Sequence, residues 1–483
     1  MYIREKQNIL IPFGTGLDMQ REYRTILDLG FVIDFFVDND ERKWGTSFNG
    51  HEIKPPKALL SESKEKTIVI ATEDYKQQII EQLMDLGIYY ERNCISLFDL
   101  EYEELSKRFS TMEVLHGSVS DPADISVLYD SQVFSMQESG GVSRYNYEII
   151  KRMVYQDGVS VNMFRGINNN CYDFADAMTR FHNYYSDNAQ MTNGRHMDAI
   201  NAGLIRQFAD QIPRIDIYHP TYYAEYGIRN YSRLVVTVYD MIHEMYYIDD
   251  RTPVRKKRLI NHADGIIAIS ESTKKDLIEI YNLNPEKIKV IYAANSLQCD
   301  VKEPPVVDGD YLLYVGQRGN YKNGTMLMRA FSRSRYKKDF RLVFMGGGDF
   351  SNEERQLINS LGLEDQVTHC VGNDTVLANL YKYAYYFIYP SKYEGFGMPL
   401  LEAMHYGAPV ITSNKSSMPE VAGDAALYFE PEDEDSIIEA LDVSKGNESM
   451  RKQLINRGYE REKLFSWDNS SDALCCYYRE LIK

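Results

Sequence analysis

Short apolar runs of four to seven residues alternate along most of this chain with amphipathic stretches of helix length, the signature of strands and helices in strict succession. The first run, NILIPFG at Asn8–Gly14, leads into a helix-length stretch ending at Gly30 and then into FVIDFFVDND at Phe31–Asp40. TIVIAT at Thr67–Thr72, a helical pattern from about Tyr75 to Leu86, and CISLF at Cys94–Phe98 extend the alternation and predict a small parallel sheet covered by helices. The charged stretch Glu101–Arg108 and the polar HGSVSDPAD at His116–Asp124 predict a domain boundary.

A second α/β region opens with ISVLYD at Ile125–Asp130 and passes through a Gly-Gly turn into a helix over Ser143–Met153. Residues from about Gly166 to Ala209 read as polar and helical, and strand signals return at IDIYHP, LVVTVYD, GIIAIS and KVIYA. LQCDVKEPPVVDGD, with Pro304 and Pro305, has the composition of a linker. The third region alternates without interruption through YLLYVG, RLVFMGGG, QVTHCVG, YYFIYPS, APVITS and ALYFEP, six strands whose crossovers specify a doubly wound parallel sheet. The expected fold class is therefore α/β, with two doubly wound Rossmann-like lobes preceded by a small third Rossmann-like domain. The expected domains are 1–110, 125–303 and 304–465, with a helix over 466–483 crossing back to the middle lobe. Ligands of such sheets bind beyond the carboxyl ends of the strands, which places the chemistry where the two lobes face each other.

The length of 483 residues agrees with about three domains. No stretch approaches the roughly 18 uncharged apolar residues of a spanning helix. The N-terminus lacks the pattern of a secretory leader, so a cytoplasmic protein is expected. A net charge of −17 argues against nucleic acid. The six cysteines show neither a C-x-x-C pair nor a zinc-like spacing, so reduced thiols and no metal site are expected.

Candidate chemistry concentrates in the third region. In PSKYEGFGMPLLEAMHYGAPVITSNKSSMPEVAGDAAL, Pro390–Leu427, a strand ends, EGFG turns at Glu394–Gly397, and a helix starts near Met398 with Pro399 in its first turn. The amides of Gly395, Phe396 and Gly397 together with the helix N-terminus suit an anion, and Glu394 and Glu402 flank it as hydrogen-bond acceptors for hydroxyls. VGQRGNYKNG at Val315–Gly324 puts Arg318 and Lys322 at a second strand-to-helix turn, behind Gly316, where two cations can balance a diphosphate without a metal.

These stretches resemble the nucleotide-binding domain of retaining GT-B glycosyltransferases, the group four-like bacterial enzymes of surface-polysaccharide assembly, over roughly residues 125–483. GQRGNYKN, the Glu-x7-Glu of EGFGMPLLE, and SSMPEVAGDAA carry the likeness. The resemblance implies that Glu394 contacts the transferred sugar, Glu402 the ribose, and Arg318 and Lys322 the diphosphate, with Gly346–Gly348 and Val371–Gly372 bordering the base. In the second region QESGGVSRY resembles the family's glycine loop, so Gly140 and Gly141 would approach the donor. VVTVYDMIHE matches a stretch that often reads V-T-V-H-D, but Tyr239 stands where His is common, leaving His243, and after it His219, as catalytic candidates.

The implied activity is metal-independent, retaining transfer of a hexose from a nucleotide diphosphate sugar to a hydroxyl of a glycan, lipid-linked or protein-linked acceptor, with no other cofactor. Two alternatives stand beside it: a catalytically silent nucleotide-sugar-binding subunit of a transferase complex, and a GT-B-fold epimerase. RKKR at Arg255–Arg258 reads as a solvated helix face, with peripheral contact at the inner membrane face as the alternative. GTG at Gly14–Gly16 with Asp38 lacks the third glycine of a dinucleotide site, Met19 occupying it. VDND followed by KWGTSFNGHEIKPP resembles small Rossmann-like modules on sugar-modifying proteins, some of which hold a nucleotide-sugar or acyl-carrier ligand. A docking or homo-oligomerisation role is favoured for it.

Overall fold

In the computed structural model the six apolar runs of the third region become six parallel strands in the order Val367–Cys370, Arg341–Met345, Tyr311–Val315, Tyr386–Tyr389, Val410–Ser413, Ala426–Phe429. All five pairings are parallel. The order reverses between Tyr311–Val315 and Tyr386–Tyr389, and the turns that follow these two strands contain Arg318, Lys322 and Glu394. The sheet is apolar on both faces, as helices on either side require, and Leu312, Phe331, Leu342, Phe344, Ile388 and Ile411 share its core.

The middle region forms an eight-stranded sheet, ordered Ile288–Val290, Gly265–Ala268, Tyr231–Val238, Ile215–His219, Ile125–Tyr129, Val159–Ile167, Asn183–Asp187 and Leu115–His116. Its reversal lies between Ile215–His219 and Ile125–Tyr129, and the Gly-Gly turn follows the latter. The reading of 166–209 as helical is corrected here. Val159–Ile167 is fully buried, Asn183–Asp187 runs parallel beside it, and helix there is a short 3-10 turn at Ala175–Arg180 and the α-helix Gly194–Asp210. Polar residues mislead because the strand pair buries them in hydrogen bonds: Asn183 donates to Asn162 at 2.6 Å, and Asn162 to Ser126 at 3.1 Å.

The structure describes residues 9–28, 31–61, 67–70, 76–88, 94–96, 113–117, 121–187, 194–224, 226–247 and 252–483; the charged stretch 101–108 lies outside them. The chain divides into a unit of Met1–Glu113 with Met191–Leu204 and a unit of Val114–Gln190 with Ile205–Lys483. In the first, Ile9–Phe13 pairs in parallel with Val32–Ile33, Phe36–Val37 and Thr67–Ile70, and an antiparallel pair, Ser47–Phe48 with His51–Lys54, closes the edge. Beyond the first strand Thr15 and Lys43 both donate to Asp38, at 2.5 and 2.9 Å. The proline linker is pinned, since Asn379 donates to the Pro304 carbonyl and accepts from the Val306 amide. Helix Trp467–Ile482 packs on the middle sheet, where Tyr478 meets Tyr129 at 2.8 Å. Among the described residues no helix is long and apolar enough to cross a membrane.

Candidate active site

The turn after Tyr386–Tyr389 is held by its carbonyls. Ser416 and Ser417 donate to the Glu394 carbonyl at 2.6 and 2.9 Å, and Ser417 also donates to that of Phe396. From the facing lobe Ser270 and Thr273 donate to the Gly395 carbonyl at 2.6 and 3.2 Å. With its carbonyls engaged, the turn leads straight into the helix N-terminus at Met398. Gly395 admits no side chain, because a Cβ there would stand 1.7 Å from the Tyr239 carbonyl oxygen. Gly397 takes φ of 100°, a left-handed conformation glycine adopts freely, and starts helix Met398–His405.

Lys322 ends a single turn of helix at Asn320–Lys322 and donates to both oxygens of Glu394, at 2.7 and 3.0 Å. Eight residues beyond Glu394, Glu402 accepts from Tyr381 at 3.0 Å. Burial pushes its carboxyl up from the ordinary value, against the charge of Arg144. Arg144 belongs to helix Gly141–Met153 of the facing lobe and spans the gap. Its Nη1 lies 3.4 Å from Glu402, its Nη2 3.1 Å from Asp374, and its Nε donates to the Tyr172 hydroxyl at 2.9 Å.

Between the lobes lies a cavity of about 1020 Å³, ample for a nucleotide-sized ligand. Its wall takes in Gly140, Gly141, Tyr239 and Asp240 from one lobe and Gly316, Lys322, Gly346, Gly372, Glu394–Gly397 and Glu402 from the other. Burial pushes the Asp240 carboxyl up as well, opposed by Lys256. Among the described residues no group of three or more His, Cys, Asp or Glu could hold a metal ion.

Residues 300–461 match the family described as Glycosyl transferases group 1, residues 139–294 match Glycosyltransferase Family 4, and residues 5–94 match C2185-like, N-terminal. The chain is 28% identical over 379 residues to an O-antigen chain mannosyltransferase B of Escherichia coli, covering 71% of this chain and 96% of that protein. It is 30% identical over 249 residues to the N-acetylgalactosamine-N,N'-diacetylbacillosaminyl-diphospho-undecaprenol 4-alpha-N-acetylgalactosaminyltransferase of Campylobacter jejuni, covering 49% of this chain and 67% of that one. The chain belongs to the GT-B glycosyltransferases. Its fold is shared with sucrose-phosphate synthase from Thermosynechococcus elongatus, at a TM-score of 0.60, 19% identity and coverage of 74% of this chain and 99% of that one.

Within this glycosyltransferase the expected site residues separate into two sets. Lys322, Glu394, Glu402 and the glycines Gly140, Gly141, Gly316, Gly346, Gly372, Gly395 and Gly397 all border the cavity. Phe396 borders it too, with its ring packed on Phe465 and Tyr292 at 5.6 and 6.1 Å. Arg318 does not. It is 4% exposed and stands outside the cavity wall, its Nε donating to Glu354 at 2.8 Å and its Nη atoms to the carbonyls of Gly346, Gly348 and Asp349 at 2.8–3.0 Å. The Gly346–Gly348 turn, left-handed at all three residues, exposes these carbonyls, and Arg318 ties it down.

The two candidate histidines lie off the cavity wall. His243 is absent from the cavity wall, although its neighbour Ile242 is in it; its ring packs on Tyr247 at 5.6 Å and its Nε2 lies 3.5 Å from the Tyr222 hydroxyl. His219 is a core residue, 2.5 Å from the Tyr478 hydroxyl and 2.8 Å from that of Thr237, and burial lowers its pKa to about 3. Tyr239, in the place where His is common, donates to the Thr221 carbonyl and accepts from Asn146, both at 2.9 Å. In the RKKR run Arg255, Lys257 and Arg258 are exposed, but Lys256 turns inward and donates to Glu244 and to the Asp240 carbonyl at 2.9 and 2.8 Å. Arg144 and Asp374 were missed. Arg144 sits one helical turn past the Gly-Gly pair, and that spacing was the available signal.

Proposed function

We propose that this glycosyltransferase moves a hexose from a nucleoside diphosphate sugar to a hydroxyl of a glycan acceptor, with retention at the anomeric carbon and without a metal ion. The observation that carries the reading is the placement of Lys322 and the EGFG amides at the two turns flanking the sheet's reversal, with Glu394 and Glu402 on either side of them. A diphosphate held there leaves its ribose within reach of Glu402 and its sugar beside Glu394, as the Glu-x7-Glu resemblance implies. The names of the relatives, which transfer mannosyl and N-acetylgalactosaminyl groups, support a sugar of this size.

As the bond between the anomeric carbon and the phosphate oxygen breaks, negative charge grows on the departing diphosphate. Lys322 and the amides of Gly395–Gly397 stabilise it in place, a preorganised contribution that solvent cannot match. The acceptor hydroxyl oxygen bonds to the anomeric carbon from the same face and passes its proton to the leaving phosphate oxygen, so no protein nucleophile is needed. Contact of the two lobes across Gly395 keeps water from competing.

The test is a thermal-shift series with UDP, GDP, ADP and their sugar conjugates, with and without EDTA, repeated on Glu402→Ala. A nucleotide at 100 times its dissociation constant adds about 2.7 kcal/mol of stability. One base should stabilise the enzyme in EDTA and lose its effect in the variant, and product NMR should show a retained anomer. Stabilisation by no nucleotide, a strict need for metal, or an inverted product would each overturn the corresponding part.

A further inference from the structure

With Arg318 committed to Glu354 and the Gly346–Gly348 turn, the cations bordering the cavity among the described residues are Lys322 from one lobe and Arg144 from the other. They face Asp240, Asp374, Glu394 and Glu402. A diphosphate adds negative charge to this wall, and Lys322 alone does not offset it.

The two arginines are held very differently. Arg318, itself buried, has short bonds of 2.8–3.0 Å to Glu354 and to the carbonyls of Gly346, Gly348 and Asp349. Arg144 reaches Glu402 only at 3.4 Å, and its other carboxylate, Asp374, has a side chain 56% exposed. Apart from its Nε bond to Tyr172, this guanidinium has only long carboxylate contacts of 3.1–3.4 Å, and a bidentate phosphate would pair its two Nη atoms better. Arg144 on one oxygen of Glu402 and Tyr381 on the other compete with ribose hydroxyls for its lone pairs.

We propose that Arg144 is the second cation of the diphosphate site: when donor binds, its guanidinium leaves Glu402 for a phosphate oxygen, and Glu402 is released to the ribose. This rests on the nucleoside diphosphate reading above. It makes donor binding an exchange of partners across the lobes.

Calorimetric titration of Arg144→Gln and Arg144→Lys with UDP, GDP and ADP, and with uridine, guanosine and adenosine, tests it. For the base that the wild type accepts, Arg144→Gln should weaken the diphosphate by about 10- to 100-fold. The nucleoside should bind within about 3-fold of wild type or more tightly, because Glu402 is freed. Arg144→Lys, which keeps the charge but not the fork, should show a smaller loss on the diphosphate alone, and this measurement stands even if the Gln variant does not fold. Equal losses for diphosphate and nucleoside would make Arg144 a latch between lobes and overturn the proposal, as would unchanged diphosphate affinity in both variants. If the wild type binds none of the three diphosphates, the donor reading itself falls, and this inference with it.

Discussion

The C-terminal lobe brings the glycines of its turns to the cavity, Gly316, Gly346, Gly347, Gly372 and the Gly395–Gly397 turn, with Lys322, Glu394 and Glu402 set among them. The N-terminal lobe faces it, past the Gly140–Gly141 turn, with side chains that reach across, Arg144 above all, and with Tyr239 and Asp240 at the end of a strand. A wall of turns is specified by conformations that few residues other than glycine adopt. A wall of long side chains depends on which way each one turns, and charged neighbours decide that. The difference teaches where function can be moved by substitution without loss of the fold: readily on the N-terminal lobe, hardly at all at the turns.

Arg318→Ala is the severest way to break this contrast. It strips a buried cation from Glu354 and from the carbonyls of the Gly346–Asp349 turn, at a cost of about 3–5 kcal/mol, so the denaturation midpoint should drop sharply even without donor present. A variant of wild-type stability would show that Arg318 serves ligand and not fold. Lys322→Ala comes next, with turnover expected to fall about 10²–10³-fold in a product assay at saturating donor. A loss below tenfold would move the leaving-group charge elsewhere.

His219 gives a smaller, pH-dependent effect. Burial lowers its pKa from 6.5 to about 3, so below about pH 6.5 the unfolded chain binds a proton that the folded chain refuses until about pH 3. Its contribution is therefore complete above pH 6.5 and declines as the pH falls. Wild type should lose about 2 kcal/mol between pH 7 and pH 5 from this group, and His219→Asn, measured by urea unfolding at both values, should lose that much less. His243→Ala sharpens the comparison from the other end, with turnover expected within about 3-fold of wild type. A hundredfold loss would place His243 in the reaction.

Much of the molecule was legible from the chain alone. The six strands of the last sheet, the EGFG turn and the pair Glu394–Glu402 follow from apolar runs, glycine and spacing, all local properties. The direction of Arg318 is not legible, because its partner Glu354 and the Gly346–Gly348 carbonyls lie some 30 residues away and sequence proximity to Lys322 says nothing of direction. His219 and His243 were candidates by strand-end position; burial against Tyr478 and packing on Tyr247 are long-range and local facts that no motif reports. The strand Asn183–Asp187 is not legible as a strand, because its polar Asn183, Ser186 and Asp187 hide it until Asn162 supplies Asn183 a buried partner.

The helix Trp467–Ile482 has a consequence for how the protein is made. Tyr478 closes a hydrogen-bonded chain with Tyr129 and His219 inside the middle lobe, and Trp467 donates to the Asn295 carbonyl at 3.1 Å. The middle lobe, though translated before the C-terminal lobe, therefore cannot complete its core until residue 478 has left the ribosome. Through synthesis of the last lobe, which takes on the order of ten to forty seconds at common elongation rates, it waits with an uncovered apolar face. Nascent-chain protection by chaperones, and early quality control of truncated products, should centre on that face.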